Sequence, residues 1–151
     1  VIYAATNDGN VAVSTNGGSS FLTVLANVPG WPRTTREIFV DPGNAMRAYL
    51  AIASFGVAQI RRTLDGGQHW SDLDQNLPDV PVDTVAVLPS TPEKIFAGSD
   101  DGLWFSPDGG QTWARYGTGL PRAVVIDILL EPTRHRIVVG TQGRGAWEAP
   151  L

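Results

Sequence analysis

The sequence predicts an all-β fold made of β-propeller blades, each a four-stranded antiparallel sheet, with about 3.5 blades in the chain. Two observations lead to this prediction. A glycine-rich motif recurs three times, at intervals of 49 and 43 residues. Between its copies lie short apolar runs bounded by Gly, Pro, Asn or Asp, which is typical of strands. Four strands that repeat every ~40 to 50 residues describe propeller blades arranged around a channel.

The repeated motif reads hydroxyl residue, any, Asx, Gly, Gly, any, any, aromatic, and we call it the box. Two further landmarks, an apolar residue followed by Pro and a strand that runs into Pro, recur in the same phase as the box. Because three independent features keep one phase, the repeat is not a chance match. The boxes span residues 14–21, 63–70 and 106–113; the landmark prolines are Pro29, Pro78 and Pro121, and Pro42, Pro89 and Pro132.

Each repeat unit is predicted to hold strands A to D in chain order, with the box between strands C and D. The blade units are approximately 1–30, 31–78, 79–121 and 122–151, within one partial propeller that covers residues 1–151. The predicted strands are 37–40, 84–88 and 125–130 for A; 2–6, 48–53, 94–98 and 136–140 for B; 11–14, 57–62, 103–106 and 146–149 for C; and 21–25, 70–73 and 113–116 for D.

Composition limits the function classes. The net charge of −4 argues against sequence-independent nucleic-acid binding, which depends on phosphate neutralisation. No apolar run approaches ~18 residues, so no membrane-spanning helix is predicted. With no cysteine in the chain, disulfides, thiolate metal sites and a cysteine nucleophile are excluded. Seventeen Gly and eleven Pro indicate many short elements and few long helices.

The box contains the residue types that a tight turn between strands requires. Asx and hydroxyl side chains hydrogen-bond nearby backbone, and paired glycines adopt positive φ without a Cβ clash. The aromatic residue is then expected to fill the gap between blades, and Trp104 and Trp147, at matching strand C positions, are expected in the core. The box positions with this structural role are Ser14, Asn16, Gly18 and Phe21; Thr63, Asp65, Gly67 and Trp70; and Ser106, Asp108, Gly110 and Trp113.

The box resembles the Asp-box, or BNR repeat, of sialidases, xyloglucan-cleaving glycoside hydrolases, sortilin-type receptors and photosystem II assembly factor-like propellers. The closing segment, residues 139–147, is similar to the last blade of bacterial members. The resemblance covers nearly the whole chain and implies the propeller fold. These relatives share blades but not one activity, and the Arg-Ile-Pro sequence typical of sialidases is absent here.

Fourteen predicted strands are too few to close a ring, which needs at least ~4 blades. Two explanations are open: the chain is the C-terminal half of a roughly seven-bladed propeller whose last blade is completed by an N-terminal strand, or copies of the chain associate. Under both, the terminal blades present open edges or apolar faces that need a partner.

The resemblance implies that ligands use the face formed by the B-to-C and D-to-A loops. Arginines that converge on one point bind a carboxylate through bidentate hydrogen bonds, and an exposed indole stacks on a sugar or anchors a protein partner. The alternative is that these arginines are solvated loop charges with no role in binding. The predicted ligand-binding residues on this face are Trp31, Arg33, Arg36, Phe55, Arg122 and Arg144.

Asp100 and Asp101 are the candidate catalytic carboxylates, because adjacent acids beside a channel perturb each other's pKa. A glycosidase also needs a second carboxylate at ~5 to 9.5 Å, for which Asp8, Asp83 and Asp127 are candidates. The alternative is that Asp-Asp-Gly is a hairpin turn, since its residues tolerate positive φ.

The sequence therefore predicts a non-catalytic binding module whose loops meet a glycan or protein partner. The alternative is half of a xyloglucanase-like glycoside hydrolase with paired carboxylates. No cofactor is predicted, and no metal site, because His69 and His135 lack partners at ligand spacing. We expect no nucleic-acid partner. We do expect self-association, or a missing propeller half, to complete the ring, and an extracytoplasmic location, periplasmic or secreted.

Overall fold

The computed structural model describes residues 1–6, 8–26 and 35–151. Their regular structure is β, apart from a single 3-10 turn at Pro132–Arg134. The strands are β1 Ile2–Ala5, β2 Val11–Ser14, β3 Leu22–Leu25, β4 Thr35–Val40, β5 Ala48–Ile52, β6 Ile60–Thr63, β7 Ser71–Asp72, β8 Val82–Val87, β9 Ile95–Ser99, β10 Gly102–Ser106, β11 Ala114–Arg115, β12 Val125–Glu131, β13 Arg136–Thr141 and β14 Gly145–Pro150.

These strands form four antiparallel sheets, each with its strands in chain order. We number them blades 1 to 4: β1–β2–β3, β4–β5–β6–β7, β8–β9–β10–β11 and β12–β13–β14. Sequential neighbours pair because each connection is a short turn rich in Gly, Asp or Pro. The predicted all-β class and the predicted division into three, four, four and three strands are both confirmed.

The blades pack face to face through apolar side chains. Val11 of blade 1 packs with Leu50 and Ile52 of blade 2, blades 2 and 3 share a larger core around Tyr49 and Ile95, and a third core joins blades 3 and 4. The first strands β4 and β8, and β8 and β12, contact each other directly. The N-terminal ends of β4, β8 and β12 are therefore brought close together, which positions the site described below.

Several predicted strand bounds are wrong, among them those of one C strand and two D strands. Residues 57–59 are irregular and β6 begins at Ile60, because side-chain carboxylates bind this segment. Asp74 Oδ2 accepts from the Gln59 backbone N–H at 3.1 Å, and Asp79 Oδ1 accepts from Gln59 Nε2 at 2.6 Å. The D strands β7 and β11 are only two residues long, since Trp70 and Trp113 belong to the turns that precede them.

Trp147 is also misplaced by the sequence prediction. It was expected in the core, yet it is 40% exposed. The reason is its position on β14, the outermost strand of blade 4, where no further strand covers it within the part of the chain that the structure describes. None of the described residues forms a helix with the length and apolar character needed to cross a bilayer.

Candidate functional site: an inner cavity between three blades

The boxes form turns with one repeated hydrogen-bond pattern. In the third copy, Ser106 Oγ donates to Asp108 Oδ1 at 2.9 Å and accepts from the Gly110 backbone N–H at 2.8 Å. Asp108 in turn accepts from the backbone N–H of Thr112 at 2.9 Å. Gly110 has φ +93°, and a Cβ there would lie 2.7 Å from Leu73 Cβ of the preceding blade. These contacts hold the chain in the turn and fit the third blade against the second.

Asp65 occupies the same place in the second box, with an additional partner. Its Oδ1 accepts from the His69 backbone N–H at 2.9 Å and its Oδ2 contacts His69 Nδ1 at 2.6 Å. These hydrogen bonds to His69 lower the pKa of Asp65 to about 2. His69 thus has a partner within the box, which the sequence analysis did not foresee.

This pKa predicts how the box contributes to acid stability. A carboxyl whose pKa is lowered on folding contributes stability that is present above its unfolded value of about 3.9 and is lost as the pH falls through the folded value. For Asp65 the loss is expected between about pH 4 and pH 2. Asp65→Asn should flatten that part of the pH dependence, measured as urea midpoints at pH 2, 3, 4 and 7.

The first box offers the reciprocal control. Asn16 Oδ1 accepts from the Ser20 backbone N–H at 3.0 Å, as Asp65 does from His69. Asn16→Asp should therefore add acid sensitivity in the same pH range that Asp65→Asn removes it. Parallel pH profiles for the wild type and Asp65→Asn would contradict this assignment.

A bulge recurs at one position in the first strand of blades 2, 3 and 4. The register shifts between Thr35 and Glu37 in β4, between Val82 and Thr84 in β8, and between Val125 and Asp127 in β12. At each shift, one extra residue of the first strand has no paired residue on the second strand. Such a bulge changes the direction in which the side chain of that residue points. The extra residues are Arg36, Asp83 and Ile126.

The three bulged residues line one cavity of about 480 Å³, which we call the inner cavity. Two turns complete it, one after β9 and one after β13. Equivalent backbone hydrogen bonds hold the two turns. The Asp100 N–H donates to Pro81 O at 3.1 Å, and the Gln142 N–H donates to Val124 O at 2.9 Å. The full lining is Arg36, Asp83, Asp100, Val124, Ile126 and Gln142.

Charge within the inner cavity centres on two carboxyl groups. Asp83 is only 9% exposed and contacts the Arg36 Nε at 3.1 Å, while Arg36 itself is 56% exposed. Burial raises the pKa of Asp83, the Arg36 charge opposes that shift, and the neighbouring Asp100 adds to it. The lining thus combines two carboxyl groups and one arginine with the apolar side chains of Val124 and Ile126.

Asp101, adjacent to this pair, has different partners. Arg115 Nη2 hydrogen-bonds to its Oδ2, and the exposed Arg122 approaches its Oδ1 at 3.8 Å. The Asp101 backbone N–H also donates to Ser99 Oγ at 3.1 Å, within the turn between β9 and β10. Asp100 and Asp101 therefore face different surroundings, although they are adjacent in sequence.

Among the described residues, the predicted site residues Phe55 and Arg144 do not line the inner cavity. Phe55 is 63% exposed in the turn between β5 and β6. Arg144 is exposed after β13, and its carbonyl accepts from Trp147 Nε1 at 2.9 Å. Trp31 and Arg33 lie outside the described residues.

Of the candidate second carboxylates, only Asp83 meets Asp100. Asp8 accepts a hydrogen bond from Thr6, which lowers its pKa, and Asp127 is an exposed residue of β12. In residues 1–6, 8–26 and 35–151, no group of three or more His, Asp or Glu side chains is placed to hold a metal ion.

Sequence reasoning missed Val124, Ile126 and Gln142 as site residues. The available signal was the phase of the repeat: Arg36, Asp83 and Ile126 are 47 and 43 residues apart, and each lies six residues before a landmark proline, Pro42, Pro89 or Pro132. Comparison of these positions across the repeat would have grouped them. Nothing in the local sequence marks the bulges themselves.

Comparison with known proteins shows the fold. Neither a protein-family profile nor a curated protein matches the sequence. Among solved structures, the chain is similar to a GH74 enzyme from Niastella koreensis (TM-score 0.72, 16% identity, 96% of this chain and 25% of that one). It is also similar to a GH74 xyloglucanase from Xanthomonas campestris (0.69, 17%, 98% and 26%) and to YCF48 bound to D1 peptide (0.65, 15%, 93% and 43%).

The chain thus spans about a quarter of the length of the GH74 enzymes and less than half of YCF48. At these identities the likeness concerns the fold alone. Together with the four sheets, it establishes that this chain is built of β-propeller blades.

Proposed function

We propose that the chain is a non-catalytic binding module built from Asp-box propeller blades, and that it holds a glycan or protein ligand at the inner cavity. The repeated bulge carries the proposal. Strands β4, β8 and β12 each direct one extra residue, Arg36, Asp83 or Ile126, into the same cavity. A bulge interrupts the ladder and is favoured next to functional sites.

The lining suits recognition better than hydrolysis. A charged pair beside two apolar side chains provides both directional hydrogen bonds and a surface for a sugar ring or an apolar side chain. A glycosidase keeps its two carboxyls ~5 to 9.5 Å apart, to leave room for the substrate or water. Asp83, the candidate partner of Asp100, is buried and paired with Arg36, and Asp101 is paired with Arg115, which does not favour the glycoside hydrolase alternative.

Binding assays on three variants test the proposal. We expect Asp100→Asn and Ile126→Ala each to weaken the ligand selected on a glycan array or a peptide library by about tenfold, equivalent to about 1.4 kcal/mol. Arg134→Ala is the matched control, because Arg134 is an exposed arginine in the turn between β12 and β13. A ligand whose affinity is unchanged by both cavity variants would place the binding site elsewhere.

The glycoside hydrolase alternative has its own assay. Wild-type chain incubated with xyloglucan should release no reducing ends. Turnover that is abolished by Asp100→Asn would overturn the non-catalytic assignment. The extracytoplasmic location that the Asp-box resemblance implies is likewise a proposal, and cell fractionation with an antibody to the chain tests it.

A further inference from the structure

Arg62 is a half-buried arginine without a carboxylate partner. Within residues 1–6, 8–26 and 35–151, every arginine except Arg62 and Arg144 forms an ion pair with an Asp or Glu side chain. Arg144 is exposed, whereas Arg62 is only partly accessible and its Nε is buried without a hydrogen-bond partner. A guanidinium removed from water without a counter-ion costs free energy that a well-packed apolar side chain does not.

The other blades show which residues suit this position when its role is only structural. Val13, Arg62 and Phe105 are equivalent, because each directly precedes the hydroxyl residue of its box. Val13 is buried, and Phe105 packs on Phe96, with ring centroids 4.8 Å apart. An apolar side chain therefore satisfies the packing between blades, and the charge of Arg62 is not explained by it.

A cavity of about 170 Å³ lies beside Arg62, between blades 2 and 3. Arg47, in the turn before β5, and Tyr49, in β5, line it together with Arg62. The Nε of Arg47 is also buried without a partner, although its Nη1 contacts Asp41 at 3.2 Å. Tyr49 is 1% exposed, and its hydroxyl donates to Pro92 O over a long distance of 3.4 Å. Two guanidinium groups and one phenol hydroxyl thus provide donors around one small space.

The charges around this cavity are positive on the blade 2 side. Burial raises the pKa of Tyr49, and the charges of Arg62 and Arg47 oppose that shift, which is the effect of nearby cations on a phenol. The acidic residue in the lining, Glu93, belongs to blade 3, is exposed, and forms no ion pair with either arginine. An anion in the cavity would therefore meet two cations on one side and one carboxylate on the other.

We propose that this cavity is a binding site for a small oxyanion, that is, a phosphate, sulfate or carboxylate group. The oxyanion accepts hydrogen bonds from Arg47, Tyr49 and Arg62, and it supplies the negative charge that Arg62 lacks. A larger groove of about 690 Å³ adjoins the cavity at Arg62 and Glu93 and leaves room for the rest of a polar ligand. Its polar lining includes Ser71, Gln75 and Gln111.

This site is separate from the inner cavity. It lies at the end of the blades that carries the A-to-B turns and the boxes, whereas the inner cavity lies at the end with the B-to-C turns. Both walls belong to blades 2 and 3, which have all four strands. The oxyanion site therefore does not depend on the function proposed for the inner cavity.

A ¹⁵N–¹H NMR titration of the full chain tests the site. The probes are sodium sulfate, sodium phosphate and sodium acetate, each compared with sodium chloride at the same ionic strength, because screening alone moves the signals of charged groups. We expect the Nε–H signals of Arg47 and Arg62 to shift to saturation with at least one of the three anions and not with chloride. Tighter binding of sulfate or phosphate than of acetate would identify a tetrahedral ligand, and the reverse order a carboxylate.

Three variants separate a binding role from a structural one. Arg62→Met should weaken the anion by about tenfold or more, the usual effect of removing a charged hydrogen-bond partner. In chloride buffer it should leave the urea midpoint unchanged or raise it, because the equivalent positions are apolar. Tyr49→Phe should weaken the anion by about threefold to tenfold. Arg134→Met, which removes an exposed arginine elsewhere, should leave the affinity unchanged.

Glu93→Gln tests whether Glu93 is the true partner of Arg62. The substitution removes a like charge from the opposite wall, so it should tighten anion binding by about twofold to fivefold. If Glu93 paired with Arg62 in solution, Glu93→Gln would instead lower the urea midpoint in chloride buffer, and the proposal would be wrong.

Two further results would overturn the proposal. The first is a response to the three anions that chloride reproduces, which would indicate an adventitious ion only. The second is an anion affinity that neither Arg62→Met nor Tyr49→Phe changes, since the oxyanion would then bind at another place.

Discussion

Gly98→Ala is expected to lower the free energy of unfolding by about 3 kcal/mol, the upper part of the range for overpacking in a core. Gly98 is buried in β9, where blade 4 packs against blade 3. A Cβ at this position would lie 2.5 Å from Thr84 Cγ2, 2.7 Å from Val125 Cγ1 and 2.7 Å from Val125 O. Because Val125 O is backbone of the first strand of blade 4, the clash separates two blades and no rotamer change relieves it.

The matched control is Gly140→Ala. Gly140 has the same place in β13 that Gly98 has in β9, opposite Asp127 rather than Thr84. A Cβ there meets only Asp127 Cβ, at 3.4 Å. The substitution should change the stability by less than about 1 kcal/mol, because the reduced entropy of the unfolded chain offsets a slight crowding. Urea titrations followed by tryptophan fluorescence measure both variants, and equal losses would contradict the close approach at Gly98.

Trp113→Ala should lower the free energy of unfolding by about 3–5 kcal/mol, the usual loss for a buried tryptophan. Its ring fills the gap between blades 2 and 3. Its backbone is also held by Asn76, which accepts from Trp113 N at 2.7 Å and donates to Trp113 O at 3.1 Å. Trp113→Phe keeps most of the packing and removes the 2.7 Å bond to Leu73 O, so a loss of about 1–3 kcal/mol is expected from the unsatisfied carbonyl.

Phe21 is the control for this prediction. It is the aromatic residue of the first box, but it is 49% exposed, so Phe21→Ala should cost less than about 1 kcal/mol. Thermal and urea unfolding of Trp113→Ala, Trp113→Phe and Phe21→Ala provide the comparison. A similar loss for Phe21→Ala and Trp113→Ala would mean that the box aromatic stabilises its own turn rather than the contact between blades.

Most of the strand layout was predictable because its determinants are local. A strand alternates its side chains with period two, and the box combines a hydroxyl, an Asx and two glycines that together specify one turn. Prediction failed where a long-range contact replaced the local one. Residues 57–59 look like the start of a strand, but the carboxylates of Asp74 and Asp79, 15 and 20 residues from Gln59, take its hydrogen bonds.

The candidate site was predictable only in part. The sequence placed Asp100, Asp83 and Arg36 within a larger set of candidate residues on one predicted face, because loops after strands B and D share that face. It did not single out these three residues. Arginines such as Arg122 and Arg144 had the same sequence signature, yet Arg122 approaches Asp101 and Arg144 is exposed after β13.

By itself the sequence determined the blades: their number, their strand order and the turns that join their outer strands, since these depend on short-range periodicity and turn chemistry. Only the tertiary structure decided that Arg36, Asp83 and Ile126 share a cavity and that Trp147 stays exposed. A bulge arises from pairing with a neighbouring strand, and the exposure of a side chain depends on which other strands lie against it. Both are properties of contacts between distant residues, which no local pattern encodes.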